Sequence, residues 1–214
     1  MAETSDNRTA LVLSHGDDAA TDAVVRTLEH DGWRVILTDC EAAAITDPGR
    51  TVHGVVYLAG LLSSGGYPQN VDPAVSLVEL MDAVRPCLAD RHEGGARVVA
   101  VGSRDWLGWP GRPLVAAQSA ALVATVRSLA LAHGQSGVTV NAVIGLLVDA
   151  AERRDLGPAR DTHLYEPVPL TGSSVEAEDI AASVAFFLDD RSGYITGQLL
   201  HCCGGASLLS SMSA

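Results

Sequence analysis

RVVAVGSRDWLGWPGRPLVAAQSAALVATVRSLALAHGQSGVTVNAV, residues 97–143, alternates between two kinds of apolar segment. The short β-branched run Val98–Val101 predicts a strand, and the long apolar run Leu114–Ala132 predicts a helix. A turn then leads to a second β-branched run, Val138–Val143. The only charge in the helix is Arg127, so we expect this helix to be covered on more than one side.

The beginning of the chain predicts a second strand–helix–strand unit. Thr9–Ser14 is an apolar strand, Asp17–Asp31 has helical apolar spacing, and Trp33–Thr38 is the following strand. Repeated units of this kind build a Rossmann-like α/β fold, a doubly wound parallel sheet with helices on both faces. At 214 residues we expect a single domain spanning residues 1–214, with residues 1–8 as a flexible N-terminus.

Three features carry a family resemblance: a serine after the strand of the central stretch, the run SAALVATVRSLALAHGQSGVTVNAV, and the C-terminal run SGYITGQLLHCCGGASL. They resemble the short-chain dehydrogenase/reductase family, which normally follows that serine with a catalytic tyrosine and, four residues later, a lysine. Here the serine is Ser103, the tyrosine position falls on Val115 and the lysine position on Ser119. The chain contains no lysine, because all fourteen basic residues are arginines.

The resemblance also implies a TGxxxGxG loop after the first strand, whose glycines let the backbone approach a cofactor pyrophosphate. The alignment places His15, Ala19 and Thr21 at the three glycine positions. Asp17 and Asp18 stand where phosphate would dock, and two carboxylates repel a diphosphate. We therefore expect no bound cofactor, with NAD(P) only as the alternative.

The segment after the second strand is shorter than in the family. Only Cys40–Val52 separates Asp39 from the next strand, too little for the family's further helix and strand. We expect a fold shortened by loss of that strand and helix, with Asp39 a vestige of the ribose-binding acid. Residues 146–172, a polar segment, stand where the family has its substrate lid.

The family residues missing here all serve nucleotide binding or proton relay. Three functions remain open. The first is a non-catalytic pseudoenzyme subunit that assembles with an active ketoreductase or dehydrogenase of the family. The resemblance implies a homo- or hetero-oligomer built through helices at about 74–89 and 114–132 and the C-terminal strand.

The second function is a cofactor-independent isomerase, cyclase, dehydratase or lyase in the old cleft. Its candidate catalytic residues are Ser103, either vestigial or repurposed, with Asp105, His163 and Tyr165 as alternatives. The third function is an atypical NAD(P)-dependent ketoreductase.

Composition restricts the partners and the location of the protein. A net charge of −12 and a pI near 4.8 argue against nucleic acid or an anionic membrane as partner. We expect no apolar run of membrane-spanning length, and the polar start is unlike a signal peptide, which favours the cytoplasm. The four cysteines lack zinc-type spacing, so no metal is expected.

Overall fold

The computed structural model describes residues 8–16, 18–38, 51–62, 72–110, 112–146, 162, 164–165, 168–172 and 174–209. The strands are β1 (Thr9–Ser14), β2 (Arg34–Thr38), β3 (Gly54–Leu58), β4 (Arg97–Ser103), β5 (Thr139–Gly145) and β6 (Leu199–Cys202). The helices are α1 (Asp18–His30), α2 (Pro73–Val84), α3 (Pro113–His133), α4 (Ala177–Leu188) and α5 (Ala206–Leu209).

The strands form one parallel sheet in the order β2-β1-β3-β4-β5-β6, which confirms the predicted fold class. The strand order reverses between β1 and β3, where Ala10 of β1 pairs with Val35 on one side and Gly54 on the other. In such sheets ligands bind in the crevice outside the carboxyl ends of the strands at this reversal. The turns after β1, β3 and β4 therefore lie together at the carboxyl ends of the strands.

The sheet is covered on both faces, as its composition requires. Helices α1 and α4 pack together on one face and α2 and α3 on the other. Strands β3, β4 and β5 are buried along their whole length, which explains their continuous apolar and β-branched sequences. Within the described ranges nothing pairs with the outer side of β2, as a shortened fold requires; residues 39–50 lie outside those ranges.

Helix α3 is covered on one side only. Leu122, Val123 and Val126 pack against the sheet, whereas Leu114 and Leu131 are 78% and 86% exposed. The expectation that no segment reaches membrane-spanning length is wrong, because residues 113–136 are long and apolar enough by length and composition. That criterion is weak evidence, since the core helix of a folded domain also satisfies it. The outer apolar face is uncovered in the single chain.

Helix α2 is shorter than predicted. It begins after Asp72, whose carboxylate accepts from the backbone N–H groups of Ala74 and Val75. It ends at Val84 rather than near residue 89, because Pro86 lacks a backbone N–H and the chain continues as the 3₁₀ turn Arg85–Cys87.

Helix α4 begins at Ala177, after a capping box that joins Glu176 and Asp179. Phe187 packs into the core, and Phe186 is half exposed.

Candidate functional site at the carboxyl end of the sheet

The turn after β1 contains a buried histidine at the first glycine position of the cofactor loop. The Nε2 atom of His15 lies 3.1 Å from Ser76 Oγ in the first turn of α2. Its ring packs edge-to-face on Tyr57 of β3, with centroids 5.6 Å apart. Burial lowers the pKa of His15 below its ordinary value of 6.5, so the ring is neutral at pH 7. The imidazole thus joins the turn to β3 and α2.

The turns after β1 and β3 also touch through their backbones. The N–H of His15 donates to the carbonyl of Leu58 at 3.0 Å. Gly60 has φ +68°, and a Cβ there would collide with the carbonyl oxygen of His15. Only glycine allows this close approach without strain, so the Ala59-Gly60 pair retains a structural role.

The residues present do not fit the pyrophosphate of a dinucleotide. In a glycine-rich loop the cofactor lies against backbone from which side chains are absent. Here the imidazole of His15 is buried at the strand reversal, and Thr21, at the third glycine position, donates a 2.6 Å hydrogen bond from Oγ1 to Ser14 Oγ. Asp17 and Asp39 lie outside the described residues.

The candidate catalytic residues Ser103 and Asp105 are brought together at the end of β4. The backbone N–H of Asp105 donates to Ser103 Oγ at 3.2 Å, so the serine caps the 3₁₀ turn Arg104–Leu107. Both side chains are buried. The carboxylate of Asp105 accepts two hydrogen bonds from Arg112, from Nε at 2.6 Å and from a terminal nitrogen at 3.1 Å. Each candidate therefore already serves the conformation of this loop.

Two arginines that the sequence analysis did not single out surround Trp109. The guanidinium carbons of Arg104 and Arg112 lie 5.3 and 5.8 Å from the centroid of its ring. Such contacts are cation–π interactions, which strengthen when solvent is excluded. The sequence contained a signal for Arg112. It follows Asp105 by seven residues across a Gly/Pro-rich loop, and such a loop can bring the guanidinium and the carboxylate together.

A further pair lies beside this cluster. Trp106 donates from its indole N–H to Nε2 of His201 on β6 at 3.2 Å, and the two rings are 5.9 Å apart. Burial, followed by the charge of Arg104, lowers the pKa of His201, so the neutral ring carries its proton on Nδ1. No periodicity or spacing in the sequence points to His201, because its partner Trp106 is 95 residues away.

The positions of the family's tyrosine and lysine lie at the start of α3. Val115 packs on the apolar cluster between the sheet and helices α2 and α3. Ser119 is fully buried, and its Oγ has no hydrogen-bond partner among the residues the structure describes. Position 115 therefore offers no proton, and position 119 offers no positive charge.

The remaining predicted residues are not assembled in the described structure. Tyr165 is 69% exposed, while His163 and most of the 146–172 segment lie outside the described ranges. Within those ranges no three His, Cys, Asp or Glu side chains are grouped to hold a metal. Cys87, Cys202 and Cys203 are free thiols, and burial raises the pKa of Cys202, which lowers its reactivity.

An open, doubly wound parallel sheet with a crevice at its strand reversal defines the Rossmann-type class. A family model described as enoyl-(acyl carrier protein) reductase matches residues 73–207. The chain belongs to this family, within the short-chain dehydrogenases/reductases.

Two relatives are subunits of (2S)-[(R)-hydroxy(phenyl)methyl]succinyl-CoA dehydrogenase from Thauera aromatica. Subunit BbsD is 38% identical over 112 residues, 52% of this chain and 45% of that protein. Subunit BbsC is 29% identical over a 260-position alignment that spans all of both chains. That alignment is longer than the 214 residues of this chain, so BbsC contains residues without a counterpart here.

Among solved structures, actinorhodin polyketide ketoreductase with NADPH superposes with a TM-score of 0.74 at 19% identity. The match covers 95% of this chain and 98% of that one. At this identity the likeness concerns the fold.

Proposed function

We propose that this chain is a non-catalytic subunit that assembles with an active dehydrogenase or ketoreductase subunit of the same family. The observation that carries the proposal is the paired loss at Val115 and Ser119. One position packs among apolar side chains and the other is a fully buried hydroxyl. Carbonyl reduction in this family needs a proton donor and a nearby positive charge, and neither position supplies one.

The β1–α1 turn supports the absence of a cofactor. The buried imidazole of His15, fixed by Ser76 and Tyr57, takes up room at the strand reversal. A dinucleotide would have to displace a hydrogen-bonded, desolvated ring, which costs free energy before binding begins.

The similarity to BbsC and BbsD supports an assembly of two related subunits. Both names designate subunits of one dehydrogenase, and this chain is similar to each. A subunit that has lost its own chemistry is retained when a relative depends on it for assembly. A cytoplasmic location is part of the same proposal.

Exposed apolar side chains on two helices support a docking surface for the partner there. Val75 and Val78 of α2 and Leu114 and Leu131 of α3 are all exposed apolar side chains. Contiguous apolar exposure on a folded domain marks an interaction surface. We assign the interface to these two helices, with β6 as a second contact because its outer side is unpaired in the described sheet.

Co-expression with catalytically intact members of the same family from the same genome tests the proposal. We expect the two chains to co-purify and the complex, but not this chain alone, to oxidise or reduce substrate. Leu131→Arg should abolish co-purification, because it buries a charge in an apolar interface. The matched control is Glu29→Arg, which changes an exposed side chain of α1 on the other face of the sheet. Failure to co-purify with any family member would overturn the proposal.

A second candidate, a cofactor-independent enzyme, is favoured by one observation. Neutral His201 lies in contact with Trp106, in the loop that begins at Ser103. A neutral imidazole in a partly buried cluster can move protons. Formation of a product without nucleotide, and its loss in His201→Gln, would establish this function; an inactive protein across isomerase, dehydratase and lyase substrates would exclude it.

A further inference from the structure

A cavity of about 560 Å³ lies at the amino end of the sheet, opposite the edge that holds Ser103. Its walls come from residues before β1, β3 and β4 and from the turn after α4. The lining includes Arg8, Trp33, His53, Glu93, Arg97 and Asp190. Neither the family chemistry nor the proposed assembly uses this cavity.

The buried charge of the cavity is Arg97, the first residue of β4, which is only 7% exposed. Its terminal nitrogens donate to the carbonyl oxygens of Ala96 at 3.3 Å and Gly94 at 3.2 Å. Its Nε has no hydrogen-bond partner in the described part of the chain, and no described carboxylate lies within 4.0 Å of the guanidinium. A buried charge without a counter-ion is costly unless something compensates it.

The backbone around Arg97 is shaped to hold the guanidinium in place. A Cβ at Gly193 would lie 2.8 Å from one of its terminal nitrogens, so a larger residue there would push the group away. Burial lowers the pKa of Arg97, but a guanidinium stays charged at neutral pH.

Two further donors line the cavity. Nδ1 of His53 accepts the backbone N–H of Thr9 at 3.3 Å, so the neutral ring carries its proton on Nε2. The guanidinium of Arg8 lies 4.3 Å from the centroid of the Trp33 ring. This cation–π contact holds the guanidinium against the cavity wall.

Of the two carboxylates in the lining, Asp190 attracts Arg97 electrostatically, but neither forms a direct ion pair with it. Asp190 pairs with Arg8 at 3.1 Å, and its side chain is 82% exposed. One oxygen of Glu93 accepts the backbone N–H of Asp90 at 3.1 Å. Exposed charges are screened by water and salt, whereas a buried charge is screened much less. The guanidinium of Arg97 is therefore the buried charge of the cavity, whereas the carboxylate of Asp190 lies at its exposed rim.

We propose that this cavity binds the oxyanion group of a small molecule, either a carboxylate or a phosphate. The planar fork of a guanidinium matches such groups, and Arg97, Arg8 and the N–H of His53 would surround one. The volume is within the usual range for small-molecule sites. This inference does not depend on the proposed function, since the two sites lie at opposite ends of the sheet.

Calorimetric titration of the full-length protein at low ionic strength tests the inference, with benzoate, inorganic phosphate and the neutral isostere benzamide as probes. We expect benzoate or phosphate to bind, which distinguishes the two sources of the oxyanion, and benzamide not to bind. Arg8→Gln should weaken the binding about tenfold, the effect of a lost charged hydrogen bond. Arg26→Gln is the matched control, since Arg26 forms an exposed ion pair with Glu178 elsewhere and should leave the affinity unchanged.

Arg97→Gln should abolish binding, with far-UV circular dichroism to show that the variant folds. If Arg97→Gln does not fold, the affinities of Arg8→Gln and His53→Gln for the two anions decide the question. No binding of either anion, equal binding of benzamide, or an unchanged affinity in Arg8→Gln would overturn the inference.

Discussion

His15 Nε2 lies 3.1 Å from Ser76 Oγ, so the turn after β1 is joined to the first turn of α2. In a cofactor-binding relative this turn would be glycine-rich and would face a pyrophosphate. Here the turn carries a histidine whose side chain contacts α2. The contact therefore joins the β1–α1 turn to the helix on the other side of the crevice.

Replacing His15 by alanine should destabilise the protein by about 1–3 kcal/mol, since it removes a buried ring and leaves Ser76 without this partner. Ser76→Ala should cost less, and the double variant should cost less than the sum of the single variants because the two side chains interact. Urea unfolding followed by circular dichroism measures all three. Additive effects would show that the contact contributes nothing.

Stability should fall as the pH falls below about 6.5. Burial lowers the pKa values of His15, His53 and His201 from their ordinary value of 6.5, so the unfolded chain binds protons that the native chain does not. The stabilisation is fully present above pH 6.5 and is lost as the pH falls through the native pKa values. Chemical unfolding between pH 5 and pH 8 measures the slope.

Replacing His15, His53 and His201 by glutamine should flatten that slope, because glutamine does not titrate in this range. The control is His30→Gln, whose side chain is 89% exposed and should leave the slope unchanged. A slope that persists in the triple variant would assign the pH dependence to other groups.

The ion pair between Asp105 and Arg112 should be important for stability. The carboxylate is 4% exposed and the guanidinium 25%, so removing one partner leaves a largely buried charge. We expect Arg112→Gln to cost about 2–3 kcal/mol, somewhat less than a fully buried pair because of the partial exposure. Arg26→Gln, which breaks an exposed pair of the same kind, should change stability by less than about 0.5 kcal/mol. Equal losses in thermal or urea unfolding would contradict the expectation.

Restoring the family's catalytic pair should not restore reduction. Val115→Tyr with Ser119→Lys supplies the missing groups, but the cofactor crevice still holds the ring of His15. A lysine at the fully buried position 119 also lacks a counter-ion, so the variant should be several kcal/mol less stable. Oxidation of NADH or NADPH with a panel of ketones, followed by absorbance, checks this. Turnover by the variant would show that the cofactor site is intact.

The fold was predictable because its signals are local and periodic. We could predict β4 and β5 from their β-branched runs and α3 from its long apolar run. All three elements are within two residues of their predicted bounds. The predicted end of α2, near residue 89, was wrong because Pro86 has no backbone N–H and the α-helix stops at Val84.

Alignment alone places Val115 and Ser119 at the positions of the family's tyrosine and lysine, and His15 at a glycine position. The partners of His15 and Trp106 do not follow from the sequence, since they lie on distant elements that the fold brings together. The partner of Asp105 is Arg112, only seven residues away, and that spacing was a usable signal. Long-range contacts of single polar residues have no periodicity by which to find them.

The stoichiometry of nucleotide binding in the purified complex tests the central claim most directly. Titration of the complex of this chain and its active family partner with NADH or NADPH should give one bound nucleotide per pair of chains. This chain alone should show no binding tighter than millimolar. Two nucleotides per pair, or submillimolar binding by the isolated chain, would contradict the account.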